Sequence, residues 1–228
     1  MYGRSLGNVS MSNNSMLVDV RRVIAERCVL CDEATRKSIA LSRLLAVPIE
    51  VVAESRNFVL IPDIRPIVPC HLLLITRQHH SSVARVPAEL RRELKQFKER
   101  IQASLESKHE EFFWFEHGSG ASPGSNSCCV RHAHLHFVPV RPIEVEEYLR
   151  RVSLSNALEE ATGGIETLFT AKDDYIYFER RDGSCILVEK PLRPLPHQLA
   201  RMLVARQEGT ADWDWTRILF PTAHSEAT

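Results

Sequence analysis

At 228 residues, with 44% hydrophobic and 25% charged side chains, the chain has room for one good-sized core and the composition of an ordinary soluble globular protein. Its 29 basic and 29 acidic side chains cancel, so no global field draws it to nucleic acid or to an anionic membrane, and any anion must be gripped locally. No apolar run is long enough to span a bilayer and the first twenty residues hold no apolar leader segment, so the expected setting is the cytoplasm, with no nucleic-acid or membrane partner.

In chain order, residues 1–17 read as a loose or disordered tail and Asp19 to Arg27 as a helix. Cys28-Val29-Leu30-Cys31 follows, a spacing that lets two thiolates reach one tetrahedral zinc, although a C-x-x-C arises by chance in roughly one such chain in eight. The six cysteines (28, 31, 70, 128, 129, 185) are irregularly spaced, unlike a disulfide framework. Ile49 to Ile61 suggests two strands around a turn at Glu54 to Asn57. Three further prolines (66, 69 and, at its start, 62) stiffen the loop that presents Asp63. His71 to Thr76 reads as a strand buried on both faces that delivers Arg77, Gln78, His79 and His80 at its end.

Pro87 to Ser107 carries apolar residues at 90, 94, 97, 101 and 105, the period of an amphipathic helix. Arg91, Arg92, Lys95, Lys98, Glu99 and Arg100 are expected on its solvated face. Phe112 to Phe115 reads as a buried strand, and Glu116 to Ser127 as a Gly/Ser loop whose free N–H groups suit phosphate. Next come His132, His134 and His136, alternating with Ala133, Leu135 and Phe137. In a strand the histidines form one row on an apolar backing, a pattern with a chance occurrence of roughly two in a hundred.

Beyond Pro142, Glu144 to Leu158 looks helical and Thr162-Gly163-Gly164 breaks it. Tyr175–Phe178 and Ile186–Val188 form a hairpin about Asp182-Gly183, and a further helix spans about His197 to Arg206. Trp213 and Trp215 are expected as packing anchors, Cys185 as a strand filler, and His109, His197 and His224 at the surface.

The segment His132-Ala133-His134-Leu135-His136-Phe137-Val138 resembles the signature of the histidine-triad (HIT) superfamily. Pro66-Ile67-Val68-Pro69-Cys70-His71-Leu72-Leu73-Leu74-Ile75 is similar to a second family segment, with Cys70 where Gly is usual and Thr76 where Pro is usual. The resemblance spans about residues 28 to 140 and implies an α+β fold, an antiparallel sheet of about five strands with flanking helices, plus a C-terminal α/β extension. The expected organisation is a tail over 1–17, a HIT-like domain over 18–142 and an extension over 143–228 packed on it.

It further implies a structural zinc on Cys28, Cys31, His79 and His132, with His80 as the alternative to His79. His134 would be the nucleophile toward the α-phosphorus of a nucleotide, adenylyl by default, with His136 at the leaving group and His71 in support. Asp63 would accept the ribose hydroxyls, while Val29, Leu30, Ile61, Pro62 and Ile64 surround the base. Ser127-Cys128-Cys129 stands where the family carries G-Q-[ST] against the phosphate, which opens the leaving-group preference, and Glu116 and His117 stand where they could enter that space. A homodimer is implied by the resemblance alone. Two other readings are a metal site made from the histidine row and a non-catalytic nucleotide sensor.

Overall fold

A computed structural model describes residues 28, 30–31, 50–118, 130–153, 158–189, 196, 198–211 and 213–215. Among the described residues eight strands form one antiparallel sheet: β1 (Ala53–Glu54), β2 (Phe58–Pro62), β3 (Leu72–Thr76), β4 (Phe113–Gly118), β5 (His134–Val138), β6 (Leu158–Ala161), β7 (Tyr175–Arg180) and β8 (Cys185–Glu189). Their order is β1-β2-β3-β5-β4-β7-β8-β6. The α+β expectation holds, and its five strands are β1 to β5. The segment beyond residue 142 extends that same sheet by three strands.

The helices are α1 (Ala88–Glu106), α2 (Ile143–Ser153), the short α3 (Ile165–Leu168) and α4 (Leu199–Gln207). Alternation along the strands sorts the core into two faces. Leu72, Leu74, Trp114, Leu135, Phe137, Tyr175 and Tyr177 pack with Leu94, Phe97 and Ile101 of α1 on one side. On the other, Phe113, Phe115, Ile176 and Phe178 meet Val145 and Leu149 of α2 and Leu199, Leu203 and Val204 of α4. Those three α4 side chains alone bury roughly 2 kcal/mol of hydrophobic free energy each, which makes α4 a fixed wall of the fold. A smaller cluster of Leu30, Val59, Ile61, Leu73 and Ile75 lies on the same face toward the β1 edge.

Three expectations change. Leu158 opens β6 instead of closing a helix, because pairing Leu158 to Ala161 with Val188 to Cys185 satisfies a ladder that the local sequence does not announce. Glu116, His117 and Gly118 belong to β4 and not to the loop, held in register against Tyr177, Ile176 and Tyr175. Gly118 is needed there, since a Cβ would overlap the Tyr175 ring.

Lys98 is not on a solvated face. It is 4% exposed and bonds Glu179 at 2.7 Å, because β7 brings that carboxylate beneath α1. The tail, the helix over 19–27 and the stretch 119–129 lie outside the described residues.

Candidate active site

β5 lies between β3 and β4 at the middle of the sheet, with Leu73 opposite His136 and Ile75 opposite His134. His134 and His136 project from the face that carries α2 and α4, while Ala133, Leu135 and Phe137, all fully buried, pack behind on the α1 side. His132 precedes the regular strand, so the row of three is a pair plus one residue turned elsewhere.

That third histidine meets the cysteines. Cys28 Sγ lies 3.3 Å from His132 Nδ1, and Cys31 Sγ lies 3.4 Å from the same nitrogen and 3.2 Å from His79 Nδ1. All four ligand atoms fall within 4.8 Å of one another. Bonds of about 2.3 Å to sulfur and about 2.0 Å to nitrogen, set tetrahedrally, separate S and N by about 3.5 Å, so the group could hold a metal ion. His79 belongs to this group. Among the described residues His80 does not, and it contributes instead its carbonyl to the Ala133 N–H at 2.6 Å.

The other ring nitrogen of His132 lies 2.7 Å from the Thr76 carbonyl and 3.0 Å from its hydroxyl, so Nε2 carries the proton and Nδ1 offers its lone pair to the cysteine side. Thr76 also donates its N–H to the Ala133 carbonyl, which a proline at that position could not do. Cys70 sits at φ 63, in the left-handed region where the family's usual glycine costs nothing.

Hydrogen bonding assigns the tautomers of the remaining histidines. His134 Nδ1 lies 2.5 Å from the His132 carbonyl and must donate to it, leaving the Nε2 lone pair free to act as a nucleophile. His71 Nδ1 accepts the Ile67 N–H at 3.4 Å, so its Nε2 donates to His136 Nδ1 at 2.9 Å. The proton of His136 is thereby on Nε2. Phe115 stacks on the His136 ring at 4.2 Å and 3°, fixing its plane. Burial depresses all four rings: His71 and His132 to about 4, His134 below its ordinary value and His136 well below it, so each is neutral near pH 7.

A cavity of about 70 Å³ is lined by His134 and His136 together with Leu30, Asp63, Ile64, Leu73, His117, Val130, Gln198, Arg201 and Trp215. A larger groove of about 990 Å³ crosses α2 and the β7–β8 turn. Its lining holds no histidine, and charged residues such as Arg180 and Glu146 pair there with each other, so size does not locate the chemistry.

Of the residues assigned to the base, Leu30 and Ile64 line the cavity, Ile61 is wholly buried beneath them, and Pro62 is half-buried at the end of β2. Val29, Ser127, Cys128 and Cys129 lie outside the described residues. His117 reaches the cavity, whereas Glu116 points to the opposite face and bonds Tyr175 and the Val83 N–H. Trp215 is an anchor on the Leu30 cluster and a cavity wall at once.

Asp63 is present but differently engaged than expected. Its Oδ1 accepts the Arg65 N–H at 2.8 Å and its Oδ2 the Arg201 guanidinium at 2.7 Å, so a buried carboxylate faces a cation instead of standing open at a loop tip. Arg201 was not singled out in the sequence. Its signal is positional: Val204 and Ala205 stand three and four residues on, which puts a charge on the buried stripe of a helix.

A family model described as HIT domain matches residues 45–143. The chain carries a HIT domain. Similar solved structures include a HIT family hydrolase from Clostridium thermocellum, at 22% identity over 50% of this chain and 91% of that one, TM-score 0.36. A HIT family hydrolase from Legionella pneumophila Philadelphia 1 is 25% identical over 50% of this chain and 94% of its own, TM-score 0.36. A hypothetical protein from Leishmania major is 18% identical over 57% and 96%, TM-score 0.39. No curated protein matched. Within the HIT domain lie Asp63, His71, His79 and the three histidines of the row, whereas Gln198, Arg201 and Trp215 lie beyond its matched span. Among the described residues no helix is long and apolar enough to cross a membrane.

Proposed function

We propose that the protein is a nucleotide hydrolase or nucleotidyltransferase that works through a covalent nucleotidyl-His134 intermediate. The observation that carries the reading is the bond from His134 Nδ1–H to the His132 carbonyl, which aims an unprotonated Nε2 into the cavity beside His136. Nε2 attacks the α-phosphorus, the bond from phosphorus to the leaving group breaks, and the leaving atom takes the proton from His136 Nε2. His136 is reprotonated as water, or another acceptor, loses its proton while attacking phosphorus. The N–P bond then breaks, releasing the nucleotide and restoring His134. His71 holds the ring of His136 and selects its tautomer.

Cys28, Cys31, His79 and His132 would hold a structural zinc, which ties the N-terminal segment to the end of β3 and the start of β5. A reducing, cytoplasmic setting suits those thiols as ligands. Adenine is the base the resemblance favours, above Leu30 and Ile64. Among the described residues the sheet ends at β1 and β6, since β7 of the same chain already occupies β4, so a homodimer formed by joining sheets would use one of these two, and light scattering reads that state directly.

The test is rapid-quench trapping of a nucleotidyl adduct during turnover of adenylyl phosphoramidates, dinucleoside polyphosphates, adenylyl sulfate and nucleotide sugars. An adduct on His134, with turnover lost in a folded His134→Asn variant, is expected. Turnover that survives His134→Asn unchanged removes the proposal.

A further inference from the structure

The segment beyond the HIT match closes the cavity with a built wall. Gln198, in left-handed backbone at φ 56 just before α4, accepts the Trp215 N–H at 3.2 Å and donates to Asp214 at 2.9 Å, which pins Trp215 over the Leu30 side. In the first turn of α4 stands Arg201, 3% exposed. It donates from Nη1 to Asp63 Oδ2, from Nη2 to the Arg65 carbonyl at 2.5 Å and from Nε to the Trp213 carbonyl at 2.8 Å. Among the described residues these bonds engage three of the five guanidinium N–H groups, leaving one on each terminal nitrogen.

Those donors belong to a side chain that lines the same cavity as His134 and His136. At about 70 Å³ the cavity has the scale of a phosphoryl group, well short of the several hundred Å³ that whole drug-sized ligands occupy. A guanidinium is a planar, permanently charged fork matched to phosphate oxygens, and here its orientation is set before any ligand arrives. Its charge already bears on His71, His134 and His136.

We propose that Arg201 is a specificity-determining residue that grips the phosphoryl group presented to His134, and that Asp63 is its positioning partner instead of a ribose acceptor. The proposal rests on the reading of His134 as the nucleophile toward phosphorus. The segment beyond the HIT domain then supplies the one Arg or Lys side chain among the described residues that line the cavity, and it selects substrates with a charged oxygen at the attacked centre.

The test titrates inorganic phosphate into the full chain, followed by ³¹P NMR, for the wild type, Arg201→Lys and the double variant Asp63→Asn/Arg201→Gln. The double variant removes both charges together while keeping hydrogen-bonding groups, so no lone buried charge is left. Expected is saturable binding to the wild type, at least tenfold weaker in Arg201→Lys and at least thirtyfold weaker in the double variant, with melting temperatures close to wild type. Arg201→Lys decides alone if the double variant does not fold. Phosphate binding that is absent from the wild type, or equal in the folded variants, overturns the assignment even where the His134 adduct forms. An absent adduct with Arg201-dependent phosphate binding removes the catalytic reading and leaves the anion site.

Discussion

Replacing Glu116 by Gln should flatten one limb of the stability-versus-pH curve. The Glu116 carboxyl is 1% exposed, and burial raises it from an ordinary value of 4.5 to about 7, against the opposing bonds from the Tyr175 hydroxyl and the N–H groups of Val83 and His134. The folded state therefore binds this proton more tightly than the unfolded chain does. Below pH 4.5 both states are protonated and no penalty exists. Between 4.5 and about 7 only the unfolded state is ionised, so stability falls as pH rises, and above about 7 the loss is complete. The displacement corresponds to roughly 3 kcal/mol.

The buried histidines act in the opposite sense, since their lowered values remove stability as pH falls below their ordinary 6.5. They are common to both proteins and cancel in a difference. Urea unfolding of wild type and Glu116→Gln at pH 4.5, 6 and 8 should give a difference in unfolding free energy that climbs by roughly 3 kcal/mol in favour of the variant across that range. A difference that stays level with pH would refute the reasoning.

Three further outcomes are expected. Cys70→Gly should stabilise the fold by about 1 kcal/mol, as a midpoint shift in urea at constant slope, because a Cβ at φ 63 carries a steric cost that glycine avoids. Cys28→Ser should abolish a tightly held metal that His134→Asn retains, read by elemental analysis of the purified chains. Zinc at a hundredfold excess over its Kd should stabilise the metal-free wild type by about 2.7 kcal/mol and leave Cys28→Ser unchanged.

Short-range periodicity determined much of this protein. The apolar run from Leu72 to Thr76, the helical stripe through Leu94, Phe97 and Ile101, and the alternation of His134 and His136 with Leu135 and Phe137 each impose a local conformation and a buried face. The C-x-x-C spacing marks two possible thiolate ligands, but His79 and His132 were added to them only by the resemblance to the HIT superfamily, and the fold brings the four together. Tertiary structure alone decided what depends on distant partners. Lys98 reads as solvated until Glu179, 81 residues on, is folded beneath it, and Leu158 reads as helical until β8 offers it a ladder. Asp63 reads as an open acceptor until Arg201, 138 residues later, claims its carboxylate. Periodicity records which face of an element is buried, whereas the charge that meets a buried carboxylate is chosen by a chain crossing, and no local pattern encodes that.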